Sequence, residues 1–494
     1  MFSTLRHCAC VGALVFALSA AAPVAGQFIG IKSVPLATGD QFLVHPSRNL
    51  GMGGVSIAID DPLLDPFVNP AKGSRMRESM FYGAPVYYSV SNGDGSGRTL
   101  PVGALFASRT WFGGVQLSLQ QIDFAERDPF AFPEWPIPGG GFERLRDRAA
   151  NNMYAFGLLG RRLPGTRMSV GASVFYADLE ALDGVDLLYT LSESIEQSGH
   201  VADVRAGLTG ELGGGGTFEA VVLHHRLDMT HEIVNVIWPC CIDWPQPWGP
   251  VRQEETNYDR TNTWGAHLGY RRPVGRRGWN AGGIITANRK THPKIPNYEI
   301  MNIPRDPGDS WAWNLGLGLS RERGPTTFAI DLIWEPIWSE TWAEADTLLQ
   351  SPLGHRIQPG EKTVENDFRF SNATLRTGLL HETARWGASL GLEVRSYSFD
   401  LEQTDNILRT DREQHESWME WSPAWGASVR FSDVELRYNG RLTTGSGRPG
   451  VAWTPFRTEQ LALMSDFIIA PSGPLTLQDA HILTHQLSVS LPIR

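Results

Sequence analysis

The sequence predicts an all-β protein: a transmembrane antiparallel β-barrel of 14 to 16 strands with an N-terminal, partly helical plug in its lumen. Three observations carry this prediction. Apolar and polar residues alternate with period two over most of the chain from Ser79 onward. The alternating tracts are joined by connections that are short and long by turns, as in outer-membrane barrels with tight periplasmic turns and longer external loops. No apolar run beyond the first 26 residues reaches the ~20 residues that a spanning helix needs.

Met1 to Gly26 stand apart. Arg6 precedes the apolar run CVGALVFALSAAAPVAG, which ends in small residues, the layout of a cleavable secretory signal. Cys8 and Cys10 lie ahead of or within that run. The chain therefore divides into a signal peptide at 1–26, a plug or hatch at 27–78 and a barrel at 79–494. Removal of the signal takes away one cation and moves the net charge from −10 to −11, which argues against nucleic acid as a partner. With 52 Gly, 32 Pro and 17 Trp, the composition points to many turns and amphipathic aromatic surface rather than a helical bundle.

The clearest hairpin is SWAWNLGLGLSRERGPTTFAIDLIWEPIW. Trp311, Trp313, Leu315, Leu317 and Leu319 share one face and Ala312, Asn314, Gly316, Gly318 and Ser320 the other. After the turn, Phe328, Ile330, Leu332 and Trp334 oppose Thr327, Ala329, Asp331 and Glu335. The same pattern places strands near 79–90, 100–109, 111–124, 151–162, 166–180, 199–212, 216–231, 260–272, 278–291, 310–322, 325–340, 366–381, 385–402, 414–431, 433–446 and 482–494. Long connections are expected around 125–150, 181–198, 232–259, 292–309, 341–365, 403–413 and 447–481.

Two aromatic girdles follow. Trp311, Trp313, Trp338, Trp418 and Trp421 are expected near the outer interface, and Tyr270, Trp279 and Phe431 near the short turns. The opposite faces carry Asp331, Glu335, Arg376, Glu393, Arg395, Arg430, Glu435 and Arg437, which reads as a wet, ion-paired lumen. A solvated face of a soluble sheet is the alternative, and it leaves a large exposed apolar band unexplained.

A sixteen-stranded barrel encloses an aqueous space unless something fills it. The stretch NLGMGGVSIAIDDPLLDPFVNPAKG is the filling segment: Gly51, Gly53 and Gly54 permit close backbone approach, Val55, Ile57, Ile59, Leu63, Leu64 and Phe67 supply apolar contacts, and Asp60, Asp61 and Asp65 are expected to pair with cations on the wall. Leu50 to Gly54, the acidic pair Asp60 and Asp61, and Asn69, Pro70 and Ala71 occur in the order that resembles the N-terminal signature of FadL/TodX-type outer-membrane transporters and their PorV-like relatives.

That resemblance implies a bacterial outer-membrane barrel whose lumen holds a hatch containing Asn69, Pro70 and Ala71, and which passes hydrophobic small molecules such as long-chain fatty acids or aromatic hydrocarbons inward. Its partners would be that ligand and outer-membrane lipid. A PorV-like scaffold for secreted proteins is the alternative role. Lys72 stands where relatives commonly have Gly, the chain ends LSVSLPIR rather than with an aromatic, and sixteen tracts exceed the family's usual fourteen.

Ligand capture would draw on apolar loop residues, Phe130, Phe132 and Trp135 in one loop and Trp238, Trp244 and Trp248 in another, with ordinary loop packing as their other reading. Cys240 and Cys241 are too few for a disulfide framework or zinc site; a vicinal disulfide, a pairing between chains and two free thiols all remain open. No Gly-x-Ser-x-Gly, His-Glu-x-x-His or phosphate-loop pattern occurs, and His224 and His225 point opposite ways on a strand, so neither catalysis, a cofactor nor a metal is expected. NGDGSGR, Asn92 to Arg98, reads as a tight external turn.

Overall fold

Alternation at period two becomes a ladder at all sixteen places. The computed structural model describes residues 28–93, 95–124, 149–185, 192–237, 251–275, 278–293, 307–345, 347–449 and 477–493. Its barrel strands are β1 (Ser79–Gly83 continued by Val86–Val90), β2 (Ser96–Ala107), β3 (Trp111–Asp123), β4 (Ala149–Arg162), β5 (Met168–Leu179), β6 (Ser192–Glu211), β7 (Thr217–Ile237), β8 (Val251–Val274), β9 (Trp279–Thr291), β10 (Gly308–Arg323), β11 (Thr326–Glu344), β12 (Lys362–Glu382), β13 (Trp386–Asp405), β14 (Thr410–Arg430), β15 (Glu435–Pro449) and β16 (Leu477–Ile493). Consecutive strands pair antiparallel, and β16 returns to β1 with Ile493 opposite Ser79, closing a 16-strand barrel. Closure removes the unpaired edge that lipid would not tolerate.

The two pieces of β1 lie end to end. Gly83 stands opposite Val102 and Val86 opposite Thr99 on β2, while Val489 and Gln486 oppose them on β16. Pro85 makes the interruption because it brings no N–H to the ladder. Pro101 of β2 is beside the same break and accepts from Ala84 N at 3.0 Å.

Side chains obey the expected faces. Leu317 is 71% exposed and Leu332 57%, whereas Ala312, Ser320 and Asp331 on the same two strands are at most 1% exposed. Apolar outside and polar inside is the inverse of a water-soluble sheet and suits hydrocarbon as the outer solvent. From Phe328 to Trp338 is about ten residues, roughly 33 Å along a strand and about 25 Å along the normal at a tilt near 40°. Trp264, Trp311, Trp338 and Trp421 mark the upper part of this belt, with Trp311 directly opposite Trp338. Phe81, Trp111, Tyr270, Trp386 and Phe431 mark the end with the short turns. Trp418 departs from expectation: it faces inward and stacks on Tyr397 at 4.9 Å, because the even positions of β14 are the lumenal ones.

The long-loop end also differs from the sequence reading. β8 runs for 24 residues and β12 for 21, against 12 for β2, so several segments expected as loop are strand. Residues 406–409 form only a tight turn between β13 and β14, with Arg409 at φ 55°. Above the lipid the outward face carries pairs such as Arg369–Glu402 at 3.1 Å and His415–Asp400 at 2.7 Å. Hydrophobic alternation ends there while the hydrogen-bond ladder continues, which is why pattern reading stopped short. The Asn92 turn is as expected, with φ 66° at Asn92 and 74° at Gly93.

Candidate functional site

Residues 28–78 lie inside the barrel. Ile29 N donates to Asn288 Oδ1 at 3.0 Å and Lys290 Nζ donates to Ile29 O at 2.5 Å, fixing the start of the segment against β9. Farther along, Leu36 bridges Gly447 on β15, Gln120 Nε2 donates to Gln41 O at 2.7 Å, and Asn439 Nδ2 donates to Ser47 O at 2.9 Å. From Leu50 the chain coils into a 3-10 turn (Leu50–Met52), a one-turn helix (Asp65–Val68) and a second 3-10 segment (Pro70–Arg75) near the short-turn mouth.

Asp61 organises this coil. Its buried carboxylate accepts from Ser47 Oγ at 2.7 Å, from Arg48 N and Asn49 N at 2.9 Å, and from Leu63 N and Leu64 N at 3.1 Å. Backbone amides released by the turns thereby find an acceptor. The expectation that Asp61 pairs with a wall cation is not met; among the described residues its partners all belong to the hatch.

Asp60 and Lys72 reach the wall. Asp60 joins Arg75 of the hatch and Arg271 of β8, each at 2.7 Å. Lys72 lies between Asp65 at 3.2 Å and Glu219 of β7 at 3.0 Å, and Asn69 Nδ2 donates to the same Glu219 at 3.0 Å. Asp65 therefore pairs within the hatch, not with the wall. Burial pushes the Asp65 carboxyl up to about 7, against Lys72 and with the nearby carboxylates of Asp60, Glu219 and Asp61. Burial works against charged Asp60, but Arg271 and Arg75 hold its carboxyl below the usual range. On the far wall, Asp331 of β11 accepts from Ser56 N at 2.6 Å and Ile57 N at 3.1 Å, and Arg48 meets Glu382 of β12 at 2.5 Å.

Glycines on both sides let the backbones touch. A Cβ on Gly53, which sits at φ 71°, would lie 2.8 Å from Leu392 N and O. A Cβ on Gly51 would lie 2.9 Å from Gly426 N, whereas one on Gly54 would meet nothing nearer than Arg376 at 3.8 Å. Conversely, Cβ atoms on wall residues Gly171 and Gly282 would lie 2.7 Å from the Pro70 and Ile57 carbonyls. Asn69 caps the following turn, its Oδ1 accepting from Ala71 N at 3.0 Å.

The lumen is two-sided. Phe67 packs at 4.9 Å from Phe156 and 4.1 Å from the stacked ring of His45, in an apolar cluster with Leu105, Phe112 and Phe175. Opposite, Arg376–Glu393 at 2.6 Å and Arg395–Glu393 at 3.0 Å form the expected ion-paired face. Burial lowers the His45 pKa to about 4, against the hydrogen bond with Gln116 and with the charge of Arg205 adding to the effect.

An apolar concavity of about 770 Å³ lies at the proline break, its lining including Pro85, Tyr87, Leu100, Leu119, His485 and Leu487. Tyr438 Oη and His485 Nδ1 share a hydrogen bond of 2.8 Å at its border. On the inner side of the same wall, Gln486 Nε2 donates to His45 O at 2.8 Å. One wall section thus carries a greasy outer recess and a polar inner contact with the hatch.

No family model and no curated protein matches the chain. Among solved structures it is similar to a Pseudomonas aeruginosa FadL homologue at 12% identity and a TM-score of 0.44, over 91% of this chain and 99% of that one. It is also similar to the Pseudomonas putida toluene transporter TodX, with 11% identity, a TM-score of 0.39 and coverage of 90% and 97%. The Ralstonia pickettii toluene transporter TbuX gives 11%, 0.40, 90% and 97%.

The structure brings Gly51, Gly53, Gly54, Asp60, Asp61, Phe67, Asn69, Pro70 and Ala71 into one body packed on the wall. Sequence reasoning missed Lys72, Glu219, Arg271 and His45 as anchors; the unusual cation directly after Asn-Pro-Ala was the available signal for Lys72. His224 faces outward beside Trp264 at 4.4 Å and His225 faces inward, and no metal-binding cluster occurs among the described residues. The aromatic loop residues, the four cysteines and the expected signal at 1–26 lie outside the described residues.

Proposed function

We propose that the protein passes hydrophobic small molecules, of the fatty-acid or aromatic-hydrocarbon class, passively through a bacterial outer membrane, with residues 50–75 as the gate. The carrying observation is the apolar recess at Pro85, set in a wall section whose inner side holds the inserted segment through Gln486 and His45 O. Transfer of each methylene from water into such an apolar surface is favourable by ~0.8 kcal/mol, so capture needs no chemistry or energy source. The hatch is held by ion pairs and hydrogen bonds, which water can replace, and by apolar contacts of Met52, Val55, Ile59 and Phe67 with the wall, which an apolar ligand can replace. Gly51, Gly53, Asp60, Phe67, Asn69, Pro70 and Ala71 seat it on the wall, Gly54 and Asp61 shape its own coil, and the recess gives a sideways route into the lipid. Saturable entry of a labelled fatty acid into liposomes containing the purified chain supports this reading. Absence of uptake, with recovery of a stable secreted-protein complex, would replace it with the scaffold role.

A further inference from the structure

The two ends of the barrel treat positive charge differently. Toward the long loops, outward-facing basic side chains have carboxylate partners: Arg98 with Asp123 at 2.6 Å, Arg289 with Asp309 at 2.6 Å, Arg226 with Asp228 at 2.8 Å and Arg369 with Glu402 at 3.1 Å. Toward the short turns they do not. Arg161, Arg272 and Arg321 occupy outward positions on β4, β8 and β10, and among the described residues none makes an ion pair. Arg161 lies over the Trp111 ring at 5.3 Å and Arg321 over Trp279 at 5.1 Å, so these two guanidinium groups are held at the depth of the girdle. The Nε of Arg321 is buried without a hydrogen-bond partner.

Exposed Arg109, Arg167 and Arg323 sit in or beside the adjoining turns. Exposed acids at this end include Glu78, Glu211 and Glu322, none of which pairs with these three arginines among the described residues, and Glu382 and Glu435 are engaged by Arg48, Arg430 and Arg437. The whole chain is acidic at −10, so this local excess of cations runs against its composition. We infer that Arg161, Arg272 and Arg321 form a collar that binds the phosphate groups of anionic phospholipids in the leaflet at the short-turn end. The fit is chemical: guanidinium forks match phosphate oxygens, tryptophan rings at this depth fix the aim of Arg161 and Arg321, and a phospholipid bilayer supplies these three side chains with the counter-charge that no carboxylate among the described residues gives them. A soluble acidic partner fits less well, because three outward strand positions face lipid rather than the aqueous mouth.

The test uses the full chain in nanodiscs of phosphatidylcholine mixed with phosphatidylglycerol, with retained lipid identified by native mass spectrometry. Wild type is expected to retain phosphatidylglycerol selectively, and Arg161→Gln/Arg272→Gln/Arg321→Gln to bind it about tenfold more weakly. Arg98→Gln/Arg289→Gln at the other end should leave retention unchanged. If the triple glutamine variant fails to give the heat-modifiable folded band, single Arg161→Gln and Arg321→Gln variants replace it, each expected to lower retention severalfold. Equal retention of both lipids by wild type, undiminished retention in folded variants, or capture of an acidic peptide without lipid selectivity would each overturn the assignment. Liposomal uptake is a separate readout, so loss of transport with lipid selectivity intact would sink only the transport proposal.

Discussion

Lys72 of the hatch lies 3.0 Å from Glu219 of the barrel wall, Nζ to Oε1, and both side chains are largely out of water. Removing Lys72 leaves the buried Glu219 carboxylate with the Asn69 amide but no cation, a loss of about 3 kcal/mol. Lys72→Met should therefore lower the unfolding midpoint and raise ion conductance in planar bilayers as the hatch loosens. Lys72→Met/Glu219→Gln should recover part of both. A single variant as tight and as stable as wild type would remove this pair from the proposed gate.

Gly53 and Gly54 both have left-handed backbone, φ 71° and 74°, yet only Gly53 presses against the wall. Gly53→Ala must push Leu392 or the hatch aside, whereas Gly54→Ala meets only the left-handed conformational strain of about 1 kcal/mol. Bilayer conductance should rise clearly for the first and little for the second, with the folded gel band present in both. Equal behaviour would mean that close approach at Gly53 does not seat the hatch.

His45 gives a pH dependence. Its folded pKa of about 4 lies below the ordinary 6.5, so the unfolded chain takes up this proton first and stability falls as pH drops from about 6.5 toward 4. The full loss is about 3 kcal/mol. A profile of unfolding midpoint against pH should flatten across that window in His45→Gln. An unchanged slope would place the acid sensitivity elsewhere.

Leu100 and Leu487 line the recess beside Pro85. Leu100→Trp should fill it and slow fatty-acid uptake severalfold while leaving barrel stability near wild type, because the ring remains in lipid. Uptake at the wild-type rate would exclude this sideways route.

The barrel was legible because lipid-facing strands obey one rule, outward apolar and inward polar, at Leu315, Leu317 and Leu319 as at Phe328, Ile330 and Leu332. Where the outer solvent changes from hydrocarbon to water, as beyond Asp367 and Asp400, that rule lapses and the strand ends were read too early. The hatch was legible as a segment through its glycines and Asn69, Pro70 and Ala71. Its contacts were not: Asp61 serves amides that only the folded turns bring together, and Glu219, some 150 residues away from Asn69, meets it through closure of the sheet. Trp418 shows the limit of residue type alone, since a tryptophan near a girdle faces inward when its strand parity demands it.

Closure also constrains assembly. Gln486 on β16 and Gln116 on β3 both grip the hatch, at His45 O and Val44 O, from opposite sides of the seam between β1 and β16. A displaced insert would forfeit hydrogen bonds on both flanks of that seam at once, so the seating of residues 44 and 45 and the register of the last strand pair are energetically coupled.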